Sequence, residues 1–265
     1  MKAISLHSIV PVRAEAREGA EQNTQMLFGE LCQIINDKSQ ITNSKWYRIR
    51  LESDGQEGWV DAKMIAPMSA AEYKSHKTAL QTAAMVAMPM AYAVSENNGQ
   101  TIPLTASTRL TNYKEGRFEV LGVGFRIDPS MVITQPMDLN QTNLLQAVRF
   151  FLNIPYLWGG KNAMGLDCSG FTQVVMSLFG KSLKRNASEQ ATQGRKIANL
   201  KNAQAGDLVF FDHEDGKISH VGIIIDPERV IHCSGRVKVE KLDAEGIYSA
   251  EAAAYTHHLV TIRRI

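Results

Sequence analysis

A change of hydrophobic rhythm at Pro136 constrains this chain more than any other feature of its sequence. Beyond it, in NQTNLLQAVRFFLNIPY, Leu144, Leu145, Val148, Phe151 and Leu152 keep helical spacing until Pro155 closes the segment. A second helix opens at Cys168 in GLDCSGFTQVVMSLFG, with Phe171, Val175, Leu178 and Phe179 on one face and Gly180 as its stop. RNASEQATQGRKI allows a short third helix, after which GDLVFFD, SHVGIII, RVIHCSG, VKVEKL and LVTIRRI all have strand character. Two or three helices followed by a run of strands predict an α+β domain over 137–265, its helices packed on an antiparallel sheet.

Upstream of Pro136 the apolar runs are short and broken by turns. Residues 1–67 read as strands, ending in KWYRIRLESDGQEGWVDAKMI, where Tyr47, Ile49 and Leu51 alternate with Trp46, Arg48 and Arg50 before a Gly55 to Gly58 turn. SAAEYKSHKTALQTA is helix-compatible or linking, and the stretch to Pro136 returns to strands with NNG and KEG turns. The expectation is two small all-β barrels, over 1–67 and 68–136, ahead of the α+β domain. At 265 residues the chain has room for all three.

Composition removes several kinds of partner. With 29 Lys and Arg against 27 Asp and Glu, and no run of like charge, the sequence lacks the footprint of a nucleic-acid or anionic-membrane binder. No stretch approaches membrane-span length, and the start lacks an apolar run of signal-peptide length, so the chain as written reads as soluble and cytoplasmic, or as periplasmic or envelope-bound if a leader has been removed. Cys32, Cys168 and Cys233 form no C-x-x-C pair and cannot all pair with one another, which predicts at least one free thiol. No cofactor is expected, and the spacing of Cys168, His220, His232 and Cys233 matches no usual zinc pattern.

Cys168 stands where a loop becomes a helix, and unpaired N–H groups at a helix start favour a thiolate. Its alternative role is a small buried apolar side chain, the role expected of Cys32 and of Cys233. A nucleophile needs a base, and His220 and His232 lie in strands joined by DPER. Parity decides whether they cooperate. If Ile225 pairs with Val230, His232 faces away from His220. An odd loop or a bulge instead sets His232 opposite Gly222, on the face of His220 and roughly 7–8 Å away on the diagonal. His220 would then take the thiol proton, His232 would orient the ring, and the Cys168 N–H would meet an oxyanion, which suits acyl transfer from an amide through a thioester.

PYLWGG, DCSGF, GDLVFF, SHVGI and VIH, in this order, resemble the NlpC/P60 family of papain-like cysteine peptidases over about 140–265. The resemblance implies hydrolysis of bacterial cell-wall peptides at the bond between γ-D-glutamate and a diamino acid, with Cys168 as nucleophile, His220 as base and His232 as the third member. It further implies Tyr156 near the oxyanion, and Trp158, Asp167, Ser169 and Ser188 around the D-glutamyl residue and the residue before it; Ser188 could equally cap a helix. Residues 1 to about 136 resemble the bacterial SH3 domains that precede this domain in a recycling subgroup of dipeptidyl peptidases. Members of that subgroup take murein tripeptide or tetrapeptide with a free N-terminal L-Ala, and LFGE makes Glu30 the candidate for the ammonium, or else a solvated edge charge. The turn that commonly reads Tyr-Pro-Gly-Trp is QEGW here, so Gln56 replaces the tyrosine and Glu57 is left to compensate. Two other functions are an endopeptidase tethered to polymeric peptidoglycan and a non-catalytic wall-binding module.

Overall fold

The computed structural model of the protein describes residues 1–35, 45–212 and 216–265. Among these residues the chain divides into Met1–Gln135 and Pro136–Ile265, at the change of rhythm itself.

In the first unit, alternating burial makes the strands; Met90–Ser95 is exposed and buried by turns. One antiparallel sheet holds β1 (Lys2–Ser5), β2 (Ile9–Arg13), β3 (Gln22–Leu27), β4 (Leu31–Ile34), β5 (Trp46–Leu51), β6 (Glu57–Asp61) and β7 (Ile65–Met68), ordered β3-β2-β6-β5-β4-β1-β7. Helix α1 (Ala70–Ala79) comes next, opened by a capping box between Ser69 and Glu72. Beyond it lie β8 (Ala84–Val86), β9 (Met90–Ser95), β10 (Thr101–Thr105), β11 (Arg109–Leu110), β12 (Arg117–Val120), β13 (Val123–Ile127) and β14 (Val132–Ile133), in sheets ordered β10-β9-β13-β12 and β11-β8-β14. The two expected barrels fall together within Met1–Gln135. Ile4, Phe28, Leu31 and Met68 share a buried cluster with Leu104, Phe118 and Phe125, and the Phe28 ring meets both later phenylalanines edge-on. Residues 3–65 also keep a core of their own, in which Val10, Val12, Met26, Ile49, Leu51 and Val60 are buried together, so the first sheet has one interior cluster and shares a second with the later sheets.

In the second unit, α2 (Gln141–Val148) is capped by Asn140 and buries Leu144 and Val148. Leu145 and Leu152, expected on its apolar face, are exposed: Leu145 lies beside the buried Leu144–Val148 stripe, and Leu152 follows a 3-10 turn over Arg149–Phe151 that rotates the side chains after it. A short hairpin, β15 (Lys161–Asn162) and β16 (Gly165–Leu166), precedes α3 (Cys168–Ser177) and α4 (Ala187–Gln190). Phe171, Val175, Leu178 and Phe179 are buried as their spacing predicts, and the chain leaves the helix through Gly180 at φ +71°.

The strands are β17 (Arg195–Ile197), β18 (Leu208–Asp212), β19 (His220–Asp226), β20 (Arg229–Ser234), β21 (Arg236–Leu242), β22 (Gly246–Ser249) and β23 (Ala254–Arg264). Their order is β17-β23-β18-β19-β20-β21-β22, and β22 also pairs with β23. The antiparallel sheet therefore closes on itself, which leaves few free edges. Helix α3 packs against β19 and β20, bringing the start of the helix to the histidine hairpin.

Candidate active site

Asp167 turns the loop into the helix. Its carboxylate caps α3 through the Gly170 N–H at 2.7 Å and holds the preceding loop through the Gly159 N–H at 2.8 Å. The Ser169 hydroxyl donates to it at 3.2 Å, and both terminal nitrogens of Arg185 grip it as a fork. Arg185 is 2% exposed and donates to the Ser169 Oγ as well, at 2.9 Å. Backbones press close here: a Cβ on Gly170 would lie 2.2 Å from the Gly160 carbonyl oxygen, so the DCSG glycine is a packing requirement.

Cys168 is 7% exposed, and the backbone N–H groups of Val221 and Ser169 reach its sulfur. They favour the thiolate, as a helix start should. Burial acts the other way and prevails: with the Asp167 charge added, it pushes the thiol up to about 11. The lowered thiol pKa expected of a helix start is thus overturned by desolvation. Burial and the Asp167 charge both favour the protonated thiol, so making the sulfur nucleophilic calls for a base to remove that proton as attack begins.

The hairpin supplies imidazoles on one face. Gly222 pairs with His232 and Ile224 with Val230, then the register slips before Asp226 meets Arg229, which leaves Ile225 as a bulge. This is the parity that sets His232 beside His220. His220 Nε2 and His232 Nδ1 lie 2.9 Å apart, their rings perpendicular. A Cβ on Gly222 would come within 2.5 Å of Val230 Cγ2 and 3.1 Å of His232 Cβ, so glycine makes the approach possible. His220 opens β19, directly before the Val221 whose N–H meets the Cys168 sulfur.

Two groups in this cluster escaped sequence reasoning. His257 lays its ring on His220 with centroids 4.2 Å apart. The terminal strand begins at Ala254, not at the Leu259 of LVTIRRI, and extending the alternation back through Tyr255–His258 would have found it. Glu240 Oε2 lies 2.9 Å from His232 Nε2. In VKVEKL the charged residues look like the solvent face, yet Val239 is 39% exposed and the Glu240 side chain 8%. Burial would raise the Glu240 carboxyl, but hydrogen bonds from His232, Ser249 and Lys238 outweigh it and hold it at about 2. Burial also keeps the His232 imidazole below its ordinary value. Arg185 was missed too, since nothing local separates it from an exposed arginine.

The other predicted residues fall in different places. Tyr156 is half-buried; its N–H donates to the Gly235 carbonyl at 2.8 Å, and burial, with Cys168 and Asp167 nearby, raises its phenol. Trp158 is 59% exposed on the same loop. Asp167 and Ser169, expected to line a pocket, are buried with their side chains committed to Arg185 and the helix start. Ser188 is exposed and caps nothing, because Asn186 caps α4 and the helix turns Ala187 and Gln190 inward instead. Gln190 bonds Thr172 Oγ1 at 2.8 Å and the Ser169 carbonyl at 3.1 Å. In the first unit, Glu30 accepts the Leu27 N–H at 2.9 Å within the β3–β4 turn. Glu57 is engaged by Arg48 and Arg50, while the Gln56 N–H donates to Asp54. Cys32 and Cys233 are both fully buried, the latter donating to the Leu166 carbonyl at 3.0 Å. Among the described residues no three His, Cys, Asp or Glu side chains converge as metal ligands would.

Residues 153–263 match the NlpC/P60 family, and residues 12–65 match the bacterial dipeptidyl-peptidase SH3 domain. Over 247 residues, 87% of this chain and 79% of its relative, the sequence is 30% identical to the gamma-D-glutamyl-L-lysine dipeptidyl-peptidase of Bacillus subtilis (strain 168). This chain belongs to the NlpC/P60 family. It is a cysteine peptidase related to those that act on peptidoglycan. An NlpC/P60 family protein from Bacillus cereus ATCC 10987 shares the fold at a TM-score of 0.82 and 18% identity, covering 100% of this chain and 99% of that one. An NlpC/P60 endopeptidase from Photobacterium damselae subsp. piscicida does so at a TM-score of 0.74 and 17% identity, covering 98% and 72%. The SH3 match covers one domain where two barrels were expected.

Proposed function

We propose that this NlpC/P60 peptidase hydrolyses the bond between γ-D-glutamate and the diamino acid of short murein peptides that carry a free N-terminal L-Ala, in peptidoglycan recycling in the cytoplasm. Cys168 is the nucleophile, His220 the base and His232 the residue that orients it. The observation that carries the assignment is the bulged hairpin, which holds two buried imidazoles 2.9 Å apart beside the strand residue bonded to the Cys168 sulfur.

The thiol proton passes to His220 as sulfur attacks the γ-carbonyl carbon. The resulting oxyanion is met by the Cys168 N–H and the Tyr156 hydroxyl. Collapse breaks the C–N bond, His220 returns the proton to the departing amine, and water activated by the same imidazole releases the dipeptide from the thioester. A thiol that rests protonated is compatible with this sequence, since ionisation accompanies attack. Trp158 supplies an exposed apolar wall for the peptide.

Incubation of the purified protein with L-Ala-γ-D-Glu-L-Lys, its meso-diaminopimelate counterpart and the N-acetylated forms tests the proposal. Release of L-Ala-γ-D-Glu from the free-amine peptides alone is expected. Equal cleavage of the acetylated forms moves the assignment to an endopeptidase, and cleavage of neither overturns the substrate. E30Q examines the carboxylate proposed for the ammonium, and an unchanged preference for the free amine excludes it.

A further inference from the structure

We infer that Glu240 is a positioning residue whose carboxylate fixes the tautomer of His232 and, through it, the nitrogen on which His220 carries its lone pair. The inference rests on the assignment of Cys168, His220 and His232 above.

An ionised carboxylate accepts hydrogen bonds and donates none. The 2.9 Å contact with Glu240 Oε2 therefore places the His232 proton on Nε2. In a neutral imidazole the other nitrogen must accept, so His232 Nδ1 takes a proton from His220 Nε2 across their 2.9 Å contact. The lone pair of His220 then falls on Nδ1. Reversing the first bond would reverse each bond after it, and His220 Nδ1 would carry a proton in place of the lone pair that the proposed base needs.

The carboxylate is itself fixed. Glu240 sits diagonal to His232, because His232 pairs with Lys238 and Val230 with Glu240. Lys238 Nζ holds Oε1 at 3.1 Å, and the buried Ser249 adds a further hydrogen bond. On the far side, the stacked His257 ring limits rotation of His220. Glu240 touches no reacting atom on this account and acts through His232.

E240Q keeps the shape of the side chain and lets it offer either an oxygen or an NH2 to His232; E240D keeps the charge. In the full-length protein, E240Q is expected to lower kcat on the order of 10–100-fold at unchanged KM, with E240D recovering part of the loss. Alkylation of Cys168 by iodoacetamide, resolved by peptide mass spectrometry, should slow in parallel without any substrate. Long-range 1H–15N spectra of the unaltered protein should show His232 protonated on Nε2 and His220 on Nε2, each bare on Nδ1. The opposite pattern overturns the inference with no variant needed, as does an E240Q protein with parental kcat and alkylation rate. If C168A or H220A retains activity, the site assignment itself has failed. If both are inactive while E240Q is unaffected, Glu240 alone is excluded.

Discussion

Around Asp167 a carboxylate takes hydrogen bonds from Gly159, Gly170, Ser169 and Arg185, whereas around His232 each ring nitrogen has one partner in a file from His220 to Glu240. Both networks are buried, both flank Cys168, and they serve opposite ends. The first contains a full ion pair with its acceptor crowded by donors, so nothing in it can move without exposing a charge in a medium that solvates it poorly. The second runs through two imidazoles and ends on one carboxylate. The first anchors the start of the helix that carries the sulfur, and the second is the proposed acceptor of its proton.

The comparison breaks most visibly at the sulfur. C168A should abolish peptide cleavage by at least about 10^4-fold while leaving the melting temperature near that of the parent, because neither network loses a partner. Chromatographic peptide assays beside thermal melts would check it. At the Asp167 network the larger effect should be on stability: R185M leaves a buried carboxylate without its counter-charge and should cost about 3–5 kcal/mol in urea unfolding, with D167N/R185M recovering part of it. A variant as stable as the parent would mean the pair is not the anchor described.

The histidine file depends on close packing at Gly222. G222A should destabilise by about 1–3 kcal/mol and also lower kcat, since the new Cβ displaces Val230 or His232. A stability loss with full kcat would separate packing from catalysis.

The smallest effect is acid linkage at Glu240. Its folded carboxyl lies near 2, below the ordinary 4.5, so its stabilisation is complete above about pH 4.5 and declines as pH falls towards 2. Denaturant titrations from pH 5 to 2.5 should show a shallower fall for E240Q.

Much of the second unit is legible residue by residue. Leu144 and Val148, then Phe171 and Val175, keep helical spacing and are buried; the four strands from Leu208 to Leu242 lie where their apolar runs fall, while the terminal strand starts before its own. Cys168 heads its helix because Asp167 and Gly170 form a local cap. The site is legible less evenly. His220 and His232 stand out only as a pair of alternative registers, and Ile225 had to bulge for one of them to hold. Asn186 and not Ser188 opens the short α4, because a helix of one turn gives no periodicity from which to choose its cap. Glu240 and Arg185 were hidden because a buried charge is indistinguishable from a surface one until its partner is known. The first unit reads well as strands, but alternation shows that a face is buried without showing which other face covers it.

By itself, then, the amino-acid sequence determined what is local: the helical and strand periods, the break at Pro136, the cap before Cys168 and the succession of motifs that marks an NlpC/P60 peptidase. Tertiary structure alone decided which distant groups meet. It closed the sheet through β22 and β23, packed Phe28 against Phe118 and Phe125, and gave Asp167 to Arg185 and His232 to Glu240. It also reversed the direction expected for the Cys168 thiol, because desolvation depends on everything packed around a side chain and not on its neighbours in the chain.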